Sequence, residues 1–175
     1  MKKTLCRWQL SGFLFTSALG TFLHFLYDLT GESLVSALFS AVNESIWEHM
    51  KLLFYPMLLF ALTEHRAWGK DEPRFWCVKL KGVLLGLGLI PVIYYTYTGL
   101  LGLSADWFNI TIFFLAAGAA YFAETKRFMK DRPCLAGEKT AQAVLVLIAL
   151  LFTVFTFFPP RIPFFQDPQT GSYGI

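Results

Sequence analysis

Four long stretches of this chain carry no charged side chain: residues 8–27, 82–105, 107–123 and 140–160. Each falls in the range of roughly 17–25 residues that a helix needs to cross the hydrocarbon core of a bilayer. Apolarity in them is continuous, whereas a lipid-facing barrel strand would be shorter and would alternate. All four therefore read as transmembrane helices. A fifth apolar stretch is anomalous. Only 12 uncharged residues, 52–63, lie between Lys51 and Glu64. As a helix they cover about 18 Å, well short of the membrane. This helix must recruit residues 44–51 to complete a crossing, or else remain re-entrant. Asn43 reads as its N-cap, with Glu44 near the positive end of the helix dipole and Pro56 as a source of a kink.

The expected fold is all-α: one multi-pass domain over residues 1–175, an integral membrane bundle of five transmembrane helices at about 8–28, 43–65, 76–103, 105–124 and 139–159. Residues 29–42 make a short loop or an interfacial helix. The basic start and the small residues near Ala18 resemble a signal peptide, but the apolar run continues to Tyr27, which favours an uncleaved first span. Gly86, Gly88 and Gly118, with neighbouring alanines, would allow close helix approach in spans three and four. The proline-rich tail from Pro159 cannot extend the last helix far and is expected to fold back over one mouth, with Phe164 and Phe165 at the interface.

Composition agrees. Hydrophobic residues make up 55% and charged residues 15%, with a mean hydropathy of +0.51, too apolar for a soluble domain of this size. Charge placement then sets an orientation. If the five spans alternate, 13 of the 15 lysines and arginines fall on one side, leaving Lys51 and Arg161 on the other. The positive-inside rule places the N-terminus in the cytoplasm and the C-terminus outside. The basic loops read as topology determinants and lipid-headgroup contacts, not as nucleic-acid sites. Cys6, Cys77 and Cys134 all fall on the basic side, so no structural disulfide is expected.

Polar groups from four spans converge on one depth. Counting from Arg7, His24 lies about 25 Å across and Asp28 about 31 Å. Counting back from Glu64, Lys51, His49 and Glu48 lie about 20 to 24 Å across. Tyr94, Tyr97 and Asn109 come out at similar depths from Lys81 and Glu124. His24 and Asp28 share one helical face; Glu44, Glu48 and Lys51 share another; His49 points about 100° from Glu48. Ionisable groups at such depth mark ligand or proton pathways. His24, Asp28, Asn43, Glu44, Glu48, His49, Lys51, Tyr94, Tyr97 and Asn109 are therefore the candidates for ligand binding or proton handling. A metal reading takes His24, Glu48 and His49 as a two-histidine, one-carboxylate set for a divalent ion such as zinc, with Asp28 or Glu44 as a fourth or outer ligand. HExxH spacing is absent, and no serine or cysteine has an obvious base beside it. Trp47 reads as an interface anchor.

The segments "HFLYDLTG" and "FSAVNESIWEHMKLLFYPML" resemble the signature of a family of small bacterial integral membrane proteins known as a domain of unknown function. That resemblance implies a multi-pass bacterial membrane protein and carries over no reaction; the expected location is the bacterial cell (inner) membrane. Three classes of function follow from the residues. One is binding or translocation of a small ligand, cation or proton. Another is membrane-embedded, metal-assisted hydrolysis of a lipid or lipid-linked substrate. The last is an accessory subunit whose polar cluster locks helices together.

Overall fold

In the computed structural model, which describes residues 2–130, 133–134 and 137–175, the chain is helical. Among the described residues there are six α-helices: α1 (Lys2–Leu29), α2 (Leu34–Ala37), α3 (Ile46–Ala67), α4 (Phe75–Leu101), α5 (Asp106–Met129) and α6 (Glu138–Phe157). Short 3-10 turns at Gly69–Asp71 and Pro163–Phe165 complete them, and Gln166 and Tyr173 form an isolated antiparallel bridge. Four helices, α1, α4, α5 and α6, are long and apolar enough to cross a membrane. Their outer faces expose large apolar side chains such as Leu14, Phe22, Leu84, Val92, Ile110, Phe122, Val146 and Leu150, the surface a lipid environment would cover.

Helix α3 is the short run of the sequence. It is one continuous helix of 22 residues, at about 1.5 Å per residue roughly 33 Å long. It packs against α1, α4 and α6, and three of its charged side chains face protein, Arg66 near its end staying exposed. Glu48, Lys51 and Glu64 are all buried there. Hydropathy along the chain cannot see this, because it scores charges without regard to what they face.

The local start of α3 departs from expectation. Ser45, not Asn43, is the N-cap: its side chain accepts from the Glu48 backbone N–H at 3.4 Å. Asn43 sits two residues earlier, where its Oδ1 accepts from the Ser45 N–H. Glu44 therefore precedes the helix. Pro56 lies inside α3 and has no N–H to donate to the Leu52 carbonyl. Helix α1 crosses α3 there at Gly20, with no side chain to hold the two backbones apart.

Of the three glycines assigned to close approach, Gly86 fits: a Cβ there would meet Leu53 at 2.7 Å. Gly88 faces open space, and Gly118 has only Phe13 at 3.8 Å. Close crossings also involve Gly82 of α4, where a Cβ would meet the Glu124 carboxylate of α5, and Gly12 and Gly20 of α1, where it would fall 2.5 Å from Tyr121 and Phe113 respectively.

The cysteine expectation is also corrected. Cys77 and Cys134 form a disulfide that ties the α5–α6 connection to the first turn of α4, and Cys6 is free and exposed. Beside it, the Glu138 carboxylate accepts from the N–H groups of Trp76 and Cys77, capping α4 from α6. Chain charge says which side a cysteine lies on but not which cysteines meet. Of the basic residues counted for topology, Arg132 lies outside the described residues. A maleimide should modify one thiol per chain before reduction and three after it. Three by mass spectrometry without reductant would contradict the bond.

Candidate functional site

Three elements bring His24, Glu44 and His49 together. His24 projects from α1, Glu44 from the loop ahead of α3, and His49 from the first turn of α3. His49 Nε2 lies 3.4 Å from Glu44 Oε2, and His24 Nε2 lies 3.9 Å from Glu44 Oε1. One ligand atom from each residue falls within 4.8 Å of the other two. The imidazole centroids are 5.4 Å apart. His49 Nδ1 is 2.9 Å from the Ser45 carbonyl, which can only accept, so this contact assigns the neutral-ring proton to Nδ1. Its Nε2 lone pair then faces a carboxylate. Two acceptors facing each other at the edge of a cavity can be bridged by a metal ion or by a donating water molecule. The backbone bond on the far nitrogen is the usual means of fixing a ligating histidine.

A cavity of about 320 Å³ opens against this set, with Gly20, Thr21, Phe25, Phe113 and Phe114 on its wall. A second, of about 240 Å³, lies on the Tyr94 and Ser104 side. Glu44, His49 and Asn109 line both. Asn109 is held by the Tyr97 hydroxyl and by Ser104 at 3.1 Å. Tyr94 thus stands on a wall, and Tyr97 stands behind Asn109 as its support. Asp28 is exposed, one turn beyond His24 at the end of α1.

The tail folds back as expected and reaches this site. Pro168 and Gln169 border the second cavity, and Asn43 donates to the Gly174 carbonyl at 3.0 Å. Trp47 packs against Phe152, Phe155, Phe164 and Phe165, seating the tail. Burial alone would raise the Asp167 carboxyl, but N–H donors from Gln169, Thr170 and Glu44 prevail and hold it below the usual carboxylate range. Its contribution to the tail is therefore present through neutral pH and lost only as pH falls through that lowered value.

The carboxylate of the expected metal set is corrected. Glu48 does not stand with the histidines; it faces the other side of α3, one residue and about 100° from His49. There it lies 2.5 Å from the Lys51 ammonium. Lys51 also donates to the Ala37 carbonyl at 2.9 Å and to Thr156 at 2.8 Å, which uses all three of its donors. Glu48 also accepts from Thr156 and from the Val42 N–H. This closed network locks α2, α3 and α6 together. Lys51 is fully buried and does not snorkel.

A further buried group, Gln9, Glu64, Lys79 and Glu124, gathers at the other end of α3. Sequence reasoning used Glu64 and Glu124 only to mark the ends of spans and counted Lys79 only toward topology. Their spacing in the chain holds no signal, since each comes from a different helix.

Fold and site together describe an all-helical protein with four helices long and apolar enough to cross a membrane and with ionisable groups buried at both ends of α3. The chain belongs to DUF6512, a family of unknown function, which matches it over residues 1–175. No curated protein and no solved structure matches the chain.

Proposed function

We propose that this is a multi-pass membrane protein whose pocket binds a divalent metal ion, zinc by its chemistry, through His24, Glu44 and His49. On this reading α3 is the fifth span, its buried charges covered by α1, α4 and α6. On the same reading the pocket lies in the outer half of a bacterial inner membrane, an orientation that the positive-inside count supports. The observation that carries the reading is the His49 contact: its Nδ1 committed to Ser45 and its Nε2 turned to Glu44 at 3.4 Å. Zinc bound at about 2.0–2.1 Å in a tetrahedral site separates its ligands by roughly 3.3 Å; the His49–Glu44 pair at 3.4 Å already fits, and His24, at 3.9 Å from Glu44, must move inward by over half an ångström. Three protein ligands leave one position open, as in sites that bind a ligand or activate water.

The apolar wall beside that position favours one extension of the reading. Phe25, Phe113 and Phe114 suit a lipid chain, with the open metal position at its polar end. Such a site would serve recognition of a lipid headgroup or metal-assisted hydrolysis of one.

Elemental analysis of the purified protein should find about one zinc per chain. His24→Ala and Glu44→Gln should lose it, and Glu48→Gln should keep it. No bound metal in the wild type, or retention in both pocket variants, would refute the assignment. Metal with no turnover of lipid esters would leave binding and remove hydrolysis.

A further inference from the structure

Glu64 of α3, Lys79 of α4 and Glu124 of α5 meet in the core at the end of α3 remote from the metal pocket. The Lys79 ammonium contacts Glu64 Oε2 and lies 2.6 Å from Glu124 Oε2. Both carboxylates are fully buried, and Lys79 is 3% exposed. Rings of Phe75, Tyr121 and Phe128 stand 5.5 to 5.9 Å from the ammonium, excluding water around it.

The charges do not balance. Among the described residues, Lys79 is the only cation within salt-bridge distance of either carboxylate. From α1 the neighbour is Gln9, whose amide nitrogen lies 2.9 Å from Glu64 Oε1. From α5 it is Tyr121, whose hydroxyl is tied to Thr16 at 2.8 Å. Beside Glu64 on α3, His65 packs its ring against Phe75 and Trp76. With both carboxylates ionised the cluster would hold one uncompensated negative charge away from water, at a cost of several kcal/mol. One proton removes it.

Two buried acceptors point to where that proton goes. Gln9 Oε1 and Glu124 Oε1 have no donor, although Gln9 is 3% exposed and Glu124 is fully buried. With the Gln9 amide turned over, its oxygen accepts from a protonated Glu64 across the same 2.9 Å contact. Glu124 packs over Gly82, in the space any side chain there would fill. We propose that Glu64 and Glu124 share one bound proton at neutral pH, forming with Lys79 and Gln9 a proton-binding site in the core. The two carboxyls act as a pair, so the proton belongs to both. The site lies 15 residues along α3 from His49, about 22 Å, with Pro56 between them.

Infrared spectroscopy of the purified protein tests this. The wild type should show the carbonyl band of a protonated carboxylic acid at about pH 7, fading at alkaline pH. Glu64→Gln and Glu124→Gln should each lack it, because one carboxylate then faces one lysine; Glu44→Gln should keep it. The folded wild type holds a proton that the unfolded chain releases. Its Tm should therefore fall as pH rises above the unfolded glutamate value of about 4.3 and level off where the band fades, while both glutamine variants stay flat. No such band in the wild type, or a band that survives in both variants, overturns the proposal. Should neither glutamine variant fold, Glu124→Asp decides: it keeps the carboxyl, and an unshifted band would overturn the assignment.

Discussion

Lys51→Met should destabilise the protein by about 3–5 kcal/mol, because it strands the Glu48 carboxylate in the core without its cation. Lys51 is fully buried and Glu48 is 2% exposed, so no water can take over. The substitution also removes the donors to Ala37 and Thr156, loosening α2 and α6 from α3. Glu48→Gln should be milder, because Lys51 keeps two neutral acceptors. The double variant Lys51→Met with Glu48→Gln should recover much of the loss, since the uncompensated charge is gone. Unfolding titrations of the four proteins would measure this. An additive double variant would mean that the two side chains do not act as a pair. Zinc content should not change in Glu48→Gln, which separates this lock from the metal pocket.

Legibility in the sequence followed what each residue faces. Helices α1, α4, α5 and α6 could be read because their exposed faces are apolar between the charged residues at their ends. The centre of α3 could be read too, but its ends could not. Glu48, Lys51 and Glu64 look like chain-end charges and are buried against neighbouring helices. Helical depth counts placed His24 level with His49, and the structure brings the two rings to 5.4 Å. The same arithmetic chose the wrong carboxylate. Glu44 lies ahead of the cap at Ser45, where the helical rise does not apply, and the loop returns it to the histidines. The Glu64–Lys79–Glu124 group was invisible for a different reason. No local pattern encodes a meeting of three helices. The disulfide adds a tension that charge alone could not raise. It joins cysteines at the basic end of the bundle, which the positive-inside rule assigns to the reducing cytoplasm.

Gly20→Ala should cost about 3 kcal/mol and weaken metal binding about 10–100-fold, through one methyl group that touches neither ligand nor metal. A Cβ at position 20 would fall 2.5 Å from the Phe113 ring and 2.6 Å from the Leu52 carbonyl oxygen. The ring has room to turn, since it borders both cavities. The carbonyl has none, being backbone of α3 one turn before Pro56. That carbonyl is the one Pro56 leaves without its helical donor, so α1 approaches α3 at the place where α3's own hydrogen bonding is interrupted. The added methyl must push the helices apart. His24 sits one turn beyond Gly20 on the same face of α1, so the displacement passes directly to its distance from Glu44 and His49. Gly88→Ala is the matched control. Nothing lies within 4 Å of a Cβ there, so it should be neutral or stabilising by up to about 1 kcal/mol, with full zinc content. Equal stability and equal zinc in the two alanine variants would mean that the α1–α3 crossing does not set the metal pocket.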